Sequence, residues 1–315
     1  MVSAADSSTS DSLPQDYLLN LLQQPASLIT DWQEWSQRLQ AHAETDNGSV
    51  LVAAAIGAQS AVPSYAFAAG YQCALCSMIP SLDITQRYAF CVTEEAGNSA
   101  KVIETSLQAK DDHFLLSGHK KFITGADQAT QLLIVANSGV GEDGRKKLKL
   151  VNVEKSSGGI ELEIMQGLPF IPELSHGRLT FDNLVVQPEQ ILAGDAYEEY
   201  VKPFRTVEDI HVYASVLGYL VGIAKRNDWP QEILEKLLGL LIGFQAVANT
   251  HPKLSGGHIA LGGLFTLAKQ LIDEIQPLIE QLPEELKTIW ERDKVLLTVA
   301  LKAREKRLEN AWLKV

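Results

Sequence analysis

The chain has 315 residues, 46% of them hydrophobic and 21% charged, and 27 Lys and Arg against 39 Asp and Glu give a formal charge of −12. This composition excludes a mainly disordered chain and a disulfide scaffold, and the acidic balance repels phosphate backbones, so no nucleic-acid partner is expected. Three cysteines cannot all pair in one chain, which fits a reducing compartment and predicts a cytoplasmic location.

Residues 1–16 are polar and acidic, without the basic start and apolar core of a targeting signal, and read as a flexible tail. Residues 17–85 read as a helical domain. Residues 16–22 suit a short helix, Asp31 is placed to cap a second, and Trp32, Trp35 and Leu39 recur at spacings of three and four to give it one apolar face. Asn47 and Gly48 interrupt. Residues 50–61 and 64–78 then follow, rich in alanine, with Pro63 and Pro80 as punctuation. Cys73 and Cys76 have the spacing of half a metal site. They lie on an apolar helical segment, however, where a free thiol packs as a small hydrophobe, and too few further ligands exist for zinc.

Residues 86–196 change texture to short strands at 88–93, 101–109, 114–117, 132–137, 148–153, 160–164 and 177–186, separated by turn-rich pieces. With no long helix between them they predict an antiparallel β-barrel or sandwich rather than a nucleotide-binding parallel sheet, and no glycine-rich phosphate loop follows any strand. The basic residues Arg145, Lys146, Lys147 and Lys149 read as a solvated hairpin edge.

Residues 197–315 return to helices at about 199–226, 231–249, 257–280 and 284–313, which predict a four-helix bundle. Lys302, Arg304, Lys306 and Arg307 suit the C-terminal end of the last helix. The longest apolar runs, 216–224 and 237–244, are about half of a bilayer span, so no membrane partner is expected. His251 and His258 lack the carboxylate pattern of a metal helix, and no metal site is expected. The expected fold class is α+β, with an N-terminal helical domain, a middle antiparallel β-barrel and a C-terminal four-helix bundle.

Residues 87–125 contain Tyr88-Ala-Phe-Cys-Val-Thr-Glu-Glu-Ala-Gly97 and Leu115-Leu-Ser-Gly-His-Lys-Lys-Phe-Ile-Thr-Gly125, and 177–194 form an apolar strand containing Phe181-Asp182. These segments resemble the acyl-CoA dehydrogenase family. Its middle domain opens with Thr-Glu-Pro and a Gly-Ser-Asp turn, and continues with Leu-Asn-Gly-x-Lys-x-Trp-Ile-Thr. The resemblance implies FAD between barrel and bundle. It also implies an acyl-CoA or related thioester oxidised by α-proton abstraction and hydride transfer to the flavin, a homodimer or homotetramer, and an electron-transfer partner. By the same resemblance Thr93 and Thr124 face the flavin, and Phe122, in place of tryptophan, packs on its ring. Glu208, in Val207-Glu208-Asp209 nine to ten residues before Leu217-Gly218, matches the early base position of members resembling isovaleryl-CoA dehydrogenase. His211, three residues on and on the same face, is either its hydrogen-bond partner or a boundary residue.

The sequence also departs from the family. The turn reads Thr93-Glu-Glu-Ala-Gly-Asn-Ser99, without proline. The Arg-x-x-Phe-Gly, Gln-x-x-Gly-Gly-x-Gly and late Tyr-Glu-Gly segments have no counterpart. These losses leave an alternative in which a non-catalytic relative serves as a subunit or ligand-binding scaffold.

Overall fold

The computed structural model describes residues 14–23, 27–44 and 48–315. Most of the tail expected at 1–16, and Asn47 of the expected helix break, lie outside the described residues. The N-terminal helices are α1 (Pro14–Leu21), α2 (Trp32–Ala43), α3 (Ser49–Gln59) and α4 (Pro63–Met78). Asp31 caps α2 as its side chain predicts, its carboxylate accepting from the Gln33 and Glu34 amides at 2.9 and 2.8 Å.

Seven strands follow: β1 (Tyr88–Cys91), β2 (Ser106–Ala109), β3 (Phe114–Thr124), β4 (Gln131–Val140), β5 (Lys146–Glu154), β6 (Ile160–Ile164) and β7 (His176–Val186). They form one mixed sheet, in which β1 and β2 both lie parallel to β4 and the other pairs are antiparallel. β5 covers the other side of β4, and β6 pairs with β7 alone. The expected closed antiparallel barrel is therefore corrected to an open, curled half-barrel. Reading successive strands as hairpins missed that the chain between β1 and β2 returns along the same edge of β4, which makes both pairings parallel.

The C-terminal helices are α5 (Lys202–Arg226), entered through a π-helical turn at Tyr197–Val201, then α6 (Gln231–Ala248), α7 (Ser255–Glu274), α8 (Gln276–Ile279), α9 (Glu284–Asp293) and α10 (Leu301–Trp312). The expected four-helix bundle is also corrected. Pro277 supplies no amide to continue α7, so that helix stops at Glu274. The last expected helix is broken by a 3₁₀ turn at Lys294–Thr298, where side chains capture the Leu297 carbonyl: the Tyr213 hydroxyl donates to it at 3.0 Å and Arg304 Nη1 donates as well.

Instead of joining only its C-terminal neighbours, α5 is buried on nearly all sides and packs on α3 and α4 of the N-terminal region. The stretch Tyr197–Arg226 is long and apolar enough to cross a bilayer, and here it is the central core helix. Its approach to α3 is backbone to backbone: a Cβ on Gly218 would lie 2.0 Å from the Ala54 carbonyl oxygen, and one on Gly57 would lie 1.9 Å from that of Ser215. The outer face of the sheet docks on these helices through aromatic rings. Phe204 of α5 meets Phe90 edge-on at 5.0 Å and Tyr71 of α4 at 5.6 Å, and the Tyr71 hydroxyl accepts from the Phe90 amide at 2.8 Å.

Candidate functional site

Between the sheet and α5 lies a cavity of about 230 Å³. The sheet contributes Thr124, at the end of β3, and His176, at the start of β7. These two residues are directly opposite in the antiparallel register, so their side chains share one face as cross-strand neighbours. The loop between β6 and β7 contributes Leu168, Phe170 and Ile171. Ile171 sits at φ 42°, a left-handed conformation that is costly for a β-branched residue. Its amide is pinned by donating at 2.7 Å to Asp293, a carboxylate that is wholly buried and is itself clasped by Arg292. Phe67 of α4 and the segment from Leu296 to Arg304 complete the apolar walls.

The polar floor is Glu208 and Asp209 of α5, two adjacent carboxylates in unlike surroundings. Asp209 is buried and accepts from Arg304 Nε at 2.9 Å and Nη2 at 2.8 Å, with Arg307 on its other oxygen. Arg304 also lies over the rings of Tyr213 and Phe265. Arg304 and Arg307 thus clasp the last helix onto α5, and the four basic residues lie before the last turn of α10, which corrects the expectation that they favour a helix C-terminus. Glu208 forms no hydrogen bond or ion pair among the described residues. Burial, reinforced by the neighbouring Asp209 charge and opposed by Arg304, Arg307 and Arg205, pushes its carboxyl up to about 8. A carboxyl poised near neutrality in a lined cavity has the properties of a general base or acid.

His176 is 8% exposed, and its Nδ1 is buried with no hydrogen-bond partner. Burial lowers its pKa, partly offset by the nearby Leu174 carbonyl, whose approach falls short of hydrogen-bond geometry, so the ring is neutral at physiological pH. The sequence gave no reason to choose this histidine, because only the β3–β7 register places it opposite Thr124.

The four residues singled out from the sequence are divided by the structure. Thr124 and Glu208 line the same cavity. Phe122 lies outside it, at a β-bulge with φ 55°, 52% exposed and with Lys121 Nζ 5.0 Å from its ring. Thr93 lies at the far end of the same connection, its carbonyl accepting from the Lys121 amide at 2.8 Å. His211 does not partner Glu208. Its Nδ1 donates to the Val207 carbonyl at 2.7 Å and its Nε2 meets the Ser49 hydroxyl at 2.8 Å, and burial pushes its pKa down to about 4. Cys73 and Cys91 are buried, and burial raises all three thiols well above their ordinary range.

The most distinctive motif residues are architectural. Glu94 and Lys120 form a buried ion pair at 2.7 Å; the same carboxylate accepts from the Glu104 and Thr105 amides at 2.7 and 3.0 Å, and Lys120 also donates to the Val92 carbonyl at 3.2 Å. This pair ties the exit of β1 to β3 and to the approach of β2.

Residues 89–184 match the acyl-CoA dehydrogenase middle domain. The whole chain superposes on a butyryl-CoA dehydrogenase from Megasphaera elsdenii with a TM-score of 0.69 and 15% identity, covering 99% of this chain and 100% of that one. The chain therefore shares the fold of the acyl-CoA dehydrogenases, and its residues 89–184 carry the sequence likeness. An FAD-dependent dehydrogenase structure gives a TM-score of 0.70 at 12% identity, each chain covered in full. In sequence, a stretch of 84 residues is 32% identical to the mitochondrial isobutyryl-CoA dehydrogenase of Dictyostelium discoideum, spanning 26% of this chain and only 20% of that protein. The sequence likeness to that dehydrogenase is thus local, while the likeness of fold to the solved structures is global.

Proposed function

We propose that the chain is a flavoprotein that oxidises an acyl thioester, with Glu208 as the base that takes the α-proton. The observation that carries this reading is the unpartnered Glu208 carboxyl in the cavity that Thr124 and His176 close from the sheet. The residues present fit the ring of a flavin. Thr124 offers its hydroxyl to a ring edge, and Phe122, turned outward by the bulge beside Thr124, offers an exposed aromatic face. A bound flavin would accept the β-hydride as the α,β double bond forms.

In the resting protein Glu208 holds its proton until the pH approaches about 8. The base is therefore strong when ionised and is shielded from bulk water by Phe67, Phe170 and Val212. Asp209 keeps Arg304 and Arg307 engaged, so neither guanidinium is free to pair with Glu208. The same reading carries a homodimer or homotetramer, an electron-transfer partner and a cytoplasmic location.

One observation favours the non-catalytic scaffold. The turn at 94–97 uses its own donors, with the Glu94 amide on the Gly97 carbonyl at 2.9 Å and the reverse bond at 3.0 Å, while Asn98 is held by Arg205 at 3.1 Å. Those groups are spoken for, and an extended dinucleotide gains little from them.

Two measurements decide between the readings. The visible spectrum of protein incubated with excess FAD, then desalted, reports flavin retention. Exchange of the α-protons of butanoyl-CoA in deuterated water, followed by NMR, reports the base independently. Exchange should rise with pH toward about 8 and fall at least ~10²-fold in Glu208→Gln. Equal exchange in the two proteins removes Glu208 as the base, and retained flavin without exchange supports the scaffold.

A further inference from the structure

In the reading above His176 only helps to wall the cavity, yet it is the one cavity residue that carries a fully buried side-chain nitrogen without a partner among the described residues. A buried polar nitrogen left unpaired is costly and is retained where something else satisfies it. His176 lines the cavity directly opposite Thr124, across from the helix that bears Glu208. We propose that Nδ1–H of His176 donates to the carbonyl oxygen of the bound thioester, making it a catalytic residue that stabilises the enolate formed when Glu208 removes the α-proton.

The inference rests on the thioester reading and adds the electrophilic half of the step. The α C–H bond breaks, its proton goes to the Glu208 carboxylate, and its electron pair forms the C=C bond as the carbonyl π pair moves onto oxygen. The developing charge on that oxygen needs a donor already in place, because a preformed donor in a dry site costs no reorganisation when the charge appears. Asp209 cannot donate, being fully committed to Arg304 and Arg307. Arg304 is engaged by Asp209, the Tyr213 hydroxyl and the Leu297 carbonyl. Thr124 remains as a second, weaker donor on the same face.

The test uses acetoacetyl-CoA, whose acidic α-protons ionise to a coloured enolate, with the full-length protein. Titrating the bound probe's enolate absorbance against pH gives its apparent pKa. His176→Phe keeps an aromatic ring and removes both nitrogens. It should raise that pKa by at least one unit, a tenfold loss of ionisation, while calorimetric binding of the probe persists. His176→Asn, which restores a short amide donor, should recover part of the loss. An unchanged probe pKa in His176→Phe, with ionisation intact in the unmutated protein, overturns the role of His176 and leaves Glu208 standing. No ionisation of bound probe in the unmutated protein overturns the thioester reading and this inference together. Should the variants fold poorly, the unmutated protein labelled with 15N-histidine decides: saturating probe must move the Nδ1 resonance of His176, and an unmoved resonance refutes the proposal.

Discussion

Replacing Glu208 by Gln should make the protein more stable above pH 6, in a way that identifies the carboxyl. In the unfolded chain this group titrates near 4.3, and in the folded protein burial and Asp209 push it up to about 8. Between those values the folded state binds a proton that the unfolded state has lost. Stability contributed by this group is therefore lost as pH rises from about 4.5 and levels off above about 8. At about 1.4 kcal/mol per pH unit the ceiling is roughly 5 kcal/mol. Glu208 keeps partial exposure to the cavity, where water relieves part of the penalty, so about 2–3 kcal/mol is expected. The Gln side chain has nearly the same shape and no titration, and it escapes this loss. Urea denaturation at half-unit intervals from pH 4.5 to 9 should show the two proteins converging at the acid end and diverging steadily up to pH 8, with Glu208→Gln the more stable. Parallel curves across that range, or a less stable variant at pH 8, would refute the reasoning, because the carboxyl would then be solvated or paired.

Three other substitutions test the framework around the site. Gly218→Ala puts a Cβ 2.0 Å from the Ala54 carbonyl oxygen, where backbone must move, and should cost about 1–3 kcal/mol or more, read as a lower Tm. Glu94→Gln strands the buried Lys120 ammonium and should cost about 3–5 kcal/mol in urea denaturation, with the double variant Glu94→Gln, Lys120→Met recovering much of it. Asp209→Asn unclasps Arg304 and Arg307; amide hydrogen exchange across α10 should accelerate. The same change removes the charge that helps raise Glu208, so the proton-exchange profile of butanoyl-CoA should shift to lower pH.

Local chemistry in the sequence carried a good part of the fold. Asp31 announces the start of α2, and the short apolar runs at 88–91 and 132–136 announce strands. What the sequence does not carry is which edges meet. β1 and β2 lie parallel to β4, with the Glu94 carboxylate tying the exit of β1 to Lys120 and to the Glu104 and Thr105 amides, and none of these residues declares its partner in advance. The break before α10 is equally tertiary, since the side chains that capture the Leu297 carbonyl come from Tyr213 on α5 and Arg304 on α10. Pro277, by contrast, is a local helix stop that the sequence itself displays. At the site, Glu208 and Thr124 were reachable through motif position. His176 was not, because its significance lies in being opposite Thr124 rather than near it in the chain. Phe122 and Thr93 matched the motif equally well and line no part of the cavity, since the bulge at 121–122 redirects the strand between the buried Lys120 and Ile123.

The contact of α3 with α5 has a mechanical consequence. Where Gly57 meets Ser215 and Gly218 meets Ala54, no layer of side chains separates the two backbones, and an interface without such a layer has no slip plane. The helix bearing Glu208 cannot slide or roll against residues 49–59 without forcing main chain into main chain. On the thioester reading, any opening of the cavity would fall to the pieces held by side chains alone. One is the loop pinned at Ile171 by Asp293, and the other is α10, latched by Arg304 and Arg307 onto Asp209. The carboxyl would then stay fixed while its walls give way.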